Sequence, residues 1–255
     1  MPDSTPPNTR AVRVLVWDEA PPHAPKSVYP NSINGAIADG LEALGDGQIA
    51  ATVVNLDDPD QGISDDALAN HDVLIWWGHA RHDEVSEATA QRVKAAVHQG
   101  LGFITLHSGH YSKPFRAVLD ATGHLYGGWR EQADPADTEE VRVCAPHHPI
   151  AEGIEDFTLP AEEMYGAPFG IPPVETIVFQ SYFPLGGEYF PSFATTVGEG
   201  IDPQFTSGPG GGANRGKGAG RVFYFRPGHE TYPTYFDPTV RRILRNAVLW
   251  AAKRK

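Results

Sequence analysis

Five of the eleven histidines fall just past runs of β-branched and aromatic residues. His79 and His82 follow VLIWWG, His107 and His110 follow GFITL, and His229 follows RVFYFRPG. Imidazole exchanges protons near neutral pH and is the commonest protein ligand for metals. If these runs are parallel strands of an open sheet, their carboxyl ends share the edge where such sheets bind ligands. Three strand ends then build one polar pocket, suited to a metal or to acid–base work.

Each segment also has a plainer reading. His79 and His82, three residues apart, can share an ion only if the chain there is helical or tightly turned. Otherwise they are one hydrogen-bonded and one solvated loop histidine. We expect His79 as a metal ligand and His82 beside a substrate. Trp76 and Trp77 point to opposite faces, so one is core, and Trp77 is the candidate aromatic platform for a sugar. ITLHSGHYSKPF reads as strand, sharp turn and helix, as in a nucleophile elbow. Ser108 stands at or beside the tip, but the first glycine of G-x-S-x-G is missing, so Ser108 is either a nucleophile or a turn residue. His107 is the stronger candidate for chemistry, as a metal ligand, with His110 as a substrate contact. RPGHETYP places His229 and Glu230 in a turn, where a His–Glu pair orients a base or supplies two ligand types. The alternative pairs Arg226 with Glu230 structurally. EEMYG (162–166), by residue pattern alone, is a solvated acidic surface. Gly211–Lys217 fits G-x-x-x-x-G-K. Gly218 replaces the hydroxyl residue, however, and a strand follows where the phosphate cradle needs a helix, so we reject a P-loop.

The elements that must position these residues alternate. VRVLVWDE (12–19), ATVVNL (51–56), DVLIWWG (72–78), GFITL (102–106) and RVFYF (221–225) are expected strands. Ser64, Ser86, Ser112 and Asp237 are expected helix N-caps, with Pro238 at the first helical position. Ile33, Ile37, Leu41 and Leu44 line one helix face. Gly100 and Gly123 are expected to close the helices begun at Ser86 and Ser112. The pattern predicts an α/β fold with a doubly wound, mostly parallel sheet in a single domain over 11–255. Residues 124–220 form an irregular β-rich insertion, either extending the sheet antiparallel or covering its edge. Residues 1–10 read as a disordered tail.

Composition narrows the functions. The net charge of −12 argues against nucleic acid or an anionic membrane as partner. RRILR suits the outer face of a helix, and no run reaches membrane-span length. Cys144 is the sole cysteine. Its setting in VRVCAP predicts a buried core thiol and no internal disulfide. With no apolar leader, a cytoplasmic location is the default expectation.

VLIWWGHARHDEVS, GFITLHSGHYSKPF, HPIAEGI, EEMYG and RVFYFRPGHETYPTY together resemble the ThuA (trehalose utilisation) family, whose fold is similar to that of class I glutamine amidotransferases (flavodoxin-like). The resemblance spans most of the chain. In those amidotransferases an elbow cysteine and a later His–Glu pair do the chemistry. Here His107-Ser108 stands at the elbow and His229-Glu230 approximates the pair, so without an elbow cysteine amidotransferase activity is not expected. The resemblance raises Glu163 to a candidate catalytic carboxylate and brings Tyr165 in as a substrate contact beside it. YGGWREQADPADTEE and GGGANRGKGAG depart from the family pattern, where the pocket walls are expected to differ. The implied chemistry is on 3-keto sugars or disaccharides. Glu163 or Glu230 would act as base, a divalent metal such as zinc would be held by His79, His107 and His229, and Arg226 would contact the carbonyl. A small carbohydrate is the expected partner, and a homo-oligomer is left open. The alternatives are a non-catalytic carbohydrate-binding or regulatory protein and, third, a serine hydrolase.

Overall fold

The structure is a computed structural model describing residues 10–132, 134–186, 190–198 and 220–253. Most of the expected tail and of the Gly-rich segment before Gly220 lie outside the described residues. In chain order the elements are β1 (Val12–Asp18), α1 (Ser32–Gly45), β2 (Ile49–Asn55), α2 (Asp65–Ala69), β3 (Val73–Trp77), α3 (Glu87–His98), β4 (Gly102–Leu106) and α4 (Lys113–Leu119). There follow β5 (Trp129–Arg130), β6 (Glu139–Val143), β7 (Phe157–Leu159), β8 (Met164–Tyr165), β9 (Thr176–Tyr182), β10 (Phe190–Val197), β11 (Gly220–Phe225) and α5 (Pro238–Ala251).

One nine-stranded sheet runs β2-β1-β3-β4-β11-β10-β9-β6-β7. Its first five strands pair in parallel, and the rest are antiparallel. The insertion therefore extends the sheet, apart from β5 and β8, which form a separate two-stranded ribbon. Alternation along the parallel strands divides the core. Val14, Val16, Ile75, Trp77, Ile104, Leu106 and Phe225 pack with α1 and α5. Leu15, Trp17, Leu74, Trp76, Phe103 and Tyr224 pack with α3 and α4. Strands buried on both faces explain the unbroken apolar runs.

Ser64, Ser86, Ser112 and Asp237 each cap their helix through the side chain. Gly100 follows the C-cap of α3 with φ +120°. Three local expectations need correction. α4 ends at Leu119 with Asp120 left-handed, before Gly123 is reached. Leu44 is exposed in the last turn of α1. Cys144 is exposed where β6 has just ended. Its neighbours alternate buried and open on an outer strand, so the apolar run there has only one covered face. Arg10, assigned to the tail, pairs with Asp72 at 2.6 Å. Among the described residues no helix is long and apolar enough to cross a membrane.

Candidate functional site

The loops after β3, β4 and β11 leave the same edge of the sheet because these strands are parallel neighbours. Each carries one imidazole to a common point. The ring centroids of His79, His107 and His229 lie 4.9–5.6 Å apart in every pairing. With Glu163 they place four donor atoms within 4.8 Å of one another.

Local structure aims each ring. The carboxylate of buried Glu19, just past β1, accepts from the backbone N–H groups of His79, Ala80 and Arg81 at 2.8–2.9 Å. His79 Nδ1 meets Glu230 at 2.8 Å, and exposed His23 reaches the other oxygen of Glu230 at 2.9 Å. His107 occupies the strained elbow position, with φ +49°. Left-handed backbone is costly for a residue with a Cβ. His107 Nδ1 donates to the Arg226 carbonyl at 3.2 Å, so Nε2 carries the lone pair and accepts from the Tyr165 hydroxyl at 2.9 Å. The strained elbow residue is thus His107 rather than Ser108. His229 follows Gly228, whose φ is +131°, and a Cβ at Gly228 would run into the Tyr235 hydroxyl. The Gly228 carbonyl accepts from Trp77 Nε1 at 2.9 Å.

Behind the rings lies a second ionic group. Arg226 is fully buried and pairs with Glu139, also buried, and with Glu162 at 3.5 Å. Glu162 accepts from Gly228 N at 2.9 Å, from His229 N at 3.3 Å and from the Thr234 hydroxyl. Arg226 also donates to the Glu163 carbonyl. The cluster therefore fixes the backbone of both Glu163 and His229. Burial, helped by Glu139 and opposed by Arg226, lifts the Glu162 carboxyl to about 7.

The site opens into a cavity of about 440 Å³. His79, His82, Ser108, His110 and His229 line it from the loops after their strands, and Glu163 and Tyr165 line it from the EEMYG segment. Four sequence-based roles change. Trp77 is wholly buried in the α1/α5 core and offers no face to the cavity. Trp76 is equally buried, stacked on Trp17 at 3.6 Å. Arg226 is enclosed by its carboxylates and cannot meet a substrate. Its partners are Glu139 and Glu162, so the alternative Arg226–Glu230 pairing does not form. Ser108 Oγ contacts the Tyr165 hydroxyl. That phenol gives its proton to His107, and burial holds its pKa well above the ordinary range. No base therefore stands on Ser108, and the nucleophile role lacks its activating partner. Glu230 is gripped by His79 and His23. Burial alone would raise its pKa, but the His79 hydrogen bond and charge bring it down to about 2, which makes it a poor proton acceptor. Of the two proposed bases, only Glu163 lines the cavity.

Do these residues fit a divalent ion? Glu163 Oε2 is buried with no hydrogen-bond partner among the described residues. The approach of His107 Nε2 at 3.2 Å is a close contact without a shared proton. A buried carboxylate oxygen without a donor calls for a cation. Burial and neighbouring positive charge lower the pKa values of His107 and His229 and keep them neutral, as ligation requires. Burial also depresses His79, but Glu230 more than offsets it and leaves its pKa raised. A carboxylate behind a ligating imidazole is the usual outer support of a metal site. Three imidazoles and a carboxylate form a set for zinc or a similar borderline ion. Two contacts have to yield: Tyr165 on His107 Nε2, and the Thr231 N–H, which His229 Nδ1 accepts at 3.2 Å. On donor type and the orphaned oxygen, the residues fit.

Sequence reasoning missed Glu19, His23, Glu139, Glu162 and Trp129. The strand-end rule, applied to β1 as well, would have picked out Glu19 and His23. The EEMYG motif contains Glu162 but does not tell its part from that of Glu163, and Glu139 carries no such signal.

The ThuA (Trehalose utilisation) family model matches residues 13–251. No curated protein matches the chain significantly. Among solved structures it is similar to a ThuA-like protein from Bacteroides uniformis, with TM-score 0.65, 16% identity and coverage of 96% of this chain and 92% of that one. A ThuA-like protein from Parabacteroides merdae gives 0.61, 15%, 95% and 90%. A protein described as a GMP synthase component, from Thermoplasma acidophilum, gives 0.50, 13%, 96% and 96%. The fold is that of the class I amidotransferases, yet the elbow holds a histidine and the sole cysteine lies exposed beyond β6. With the model match covering nearly the whole described chain, this protein belongs to the ThuA trehalose-utilisation family.

Proposed function

We propose that the chain is a sugar-catabolic enzyme that acts on an oxidised, 3-keto sugar or disaccharide by abstracting the proton at C2. Its family supports the coarser statement, a role in trehalose utilisation. The observation that carries the finer reading is the enclosed, unpartnered Glu163 oxygen beside three imidazoles at the foot of a sugar-sized cavity. His79, His107 and His229 would hold a divalent ion there, zinc by donor type. When bound, such an ion supplies Lewis acidity for a carbonyl oxygen.

A ketone at C3 acidifies the neighbouring C2–H. Glu163 takes that proton, and the C–H electrons move into the C2–C3 bond as the carbonyl oxygen gains charge. If those electrons then expel the oxygen at C1, the glycoside is cleaved, and Glu163 returns its proton to the leaving oxygen. If Glu163 returns the proton to the same face of C2, the substrate is regenerated and only exchange is seen; if a proton reaches C2 from the opposite face instead, the sugar is epimerised there. Glu19 and Glu230 keep His79 in place, and the Arg226 cluster keeps Glu163 and His229 in place.

The test is incubation with a 3-keto-glucoside in deuterated water, followed by NMR at C2. The proposal predicts deuterium at C2, an elimination product, or both, and none in Glu163→Gln. Cleavage with neither signal means direct hydrolysis. No turnover on any keto or unoxidised sugar favours a binding protein.

A further inference from the structure

The cavity has two chemically different ends. The inner end is the histidine–carboxylate group. The outer end is lined by Tyr111, His124, Leu125 and Trp129, while Glu131 reaches back to 3.9 Å from His229 at the inner end. Among the described residues the exposed aromatic side chains are Tyr111 (43%), Tyr126 (62%), Trp129 (66%) and Phe236 (40%). All but Phe236 gather at this mouth. Tyr126 packs edge-on against His124 at 4.8 Å, and Tyr111 tilts over the same ring at 6.3 Å. A tryptophan left two-thirds open to water keeps apolar area that binding would remove from solvent.

The β5–β8 ribbon explains the placement. Trp129 sits directly opposite Tyr165 in the antiparallel register. Side chains two apart share a face, so Trp129 and Glu131 stand on the same side as Glu163 and Tyr165. All four line the cavity. Arg130 turns the other way, to Asp137 at 2.9 Å. The ribbon thus makes one wall that is acidic at its foot and aromatic at its lip. At about 440 Å³ the cavity lies within the ~300–1,000 Å³ typical of pockets that enclose drug-sized ligands, which is more than one pyranose needs.

We propose that the outer end is a second sugar subsite with Trp129 as its platform, so that the ligand is a two-ring glycoside spanning the cavity. This rests on the reading of the inner end as a sugar site. A pyranose presents C–H bonds on one face and hydroxyls at its rim. The face stacks on the indole, and the rim reaches His124, with Glu131 between the two rings.

The experiment is calorimetric titration of the purified protein with glucose and with trehalose, in wild type, Trp129→Ala and Trp129→Phe. Bound metal and oligomeric state are measured on each sample. Wild type is expected to bind trehalose at least tenfold more tightly than glucose. Trp129→Ala should lose about tenfold on trehalose, or about 1.4 kcal/mol, and change glucose binding less than twofold. Trp129→Phe should recover most of the loss, with metal content equal throughout. An unchanged trehalose-to-glucose ratio in Trp129→Ala overturns the subsite while leaving the sugar site standing. A change in oligomeric state with no change in sugar binding also overturns it and makes the patch a contact between copies. Absence of trehalose and glucose binding by wild type overturns the subsite, while the 3-keto-sugar reading stands or falls on its own C2-exchange test.

Discussion

Glu162 accepts from Gly228 N, His229 N and Thr234 and faces Arg226, whereas Glu163, one residue on, has a buried carboxylate oxygen with no donor among the described residues. Both groups contain carboxylates and nitrogen bases, and the backbone of Arg226, Glu163 and His229 joins them. In the rear group every strong donor has an acceptor. In the front group the acceptors outnumber the protons. A saturated ionic cluster holds geometry, and an unsaturated one is where a ligand completes the count.

Breaking the rear group should cost the most. Arg226→Met leaves Glu139 and Glu162 buried without their cation, and removing one partner of a buried ion pair costs roughly 3–5 kcal/mol. Denaturant unfolding checks this, and a loss below about 1 kcal/mol would show that the cluster is not the scaffold.

Acid titration separates the two groups by sign. Glu230 is held at about 2 against its ordinary 4.5. Its stabilisation is complete above about 4.5 and is lost as pH falls through about 2, on the order of 3 kcal/mol. The raised pKa of His79 reports the same pairing from the other partner and is not added. Glu162 behaves oppositely. The folded protein keeps its proton to about 7 and the unfolded chain releases it near 4.5, so stability falls as pH rises through that window. Glu230→Gln should flatten the acid limb of the stability–pH curve, and Glu162→Gln should flatten the limb between pH 5 and 7. If Glu230→Gln leaves the acid limb unchanged, the His79 pairing has been misread.

Glu163→Gln should not destabilise the metal-free protein, because no hydrogen bond of that oxygen is lost and a buried charge is removed. It should nevertheless abolish C2 exchange. A folded mutant that keeps its exchange removes Glu163 as the base. A mutant that loses its metal as well shows that the carboxylate is a ligand. Cys144→Ser, on an exposed position, should change neither stability nor turnover.

The parallel half of the sheet was legible because strands covered on both faces leave continuous apolar runs, as in VLIWW and VFYF, and serine or aspartate caps mark the helices between them. The convergence of His79, His107 and His229 followed from the same pattern, since parallel neighbours end on one edge. What sequence could not show is which polar side chain faces inward. Arg226 and Glu230 lie four residues apart in one loop, and only packing reveals that the first is sealed by Glu139 and Glu162 and the second by His23 and His79. Trp77 illustrates the same limit. Alternation identified two faces but not that helices cover both. Trp129 lies on a two-residue strand, too short to leave a periodicity.

The most direct test of the account is metal content. Wild-type protein, stripped of metal and then titrated with Zn²⁺, should take up one equivalent per chain. His107→Ala, folded by circular dichroism, should lose that tight equivalent, because its Nε2 stands between Tyr165 and Glu163 at the centre of the group. A wild-type protein that binds no stoichiometric divalent ion, or a folded His107→Ala that binds it equally well, would contradict the claim that the unsaturated cluster is a metal site.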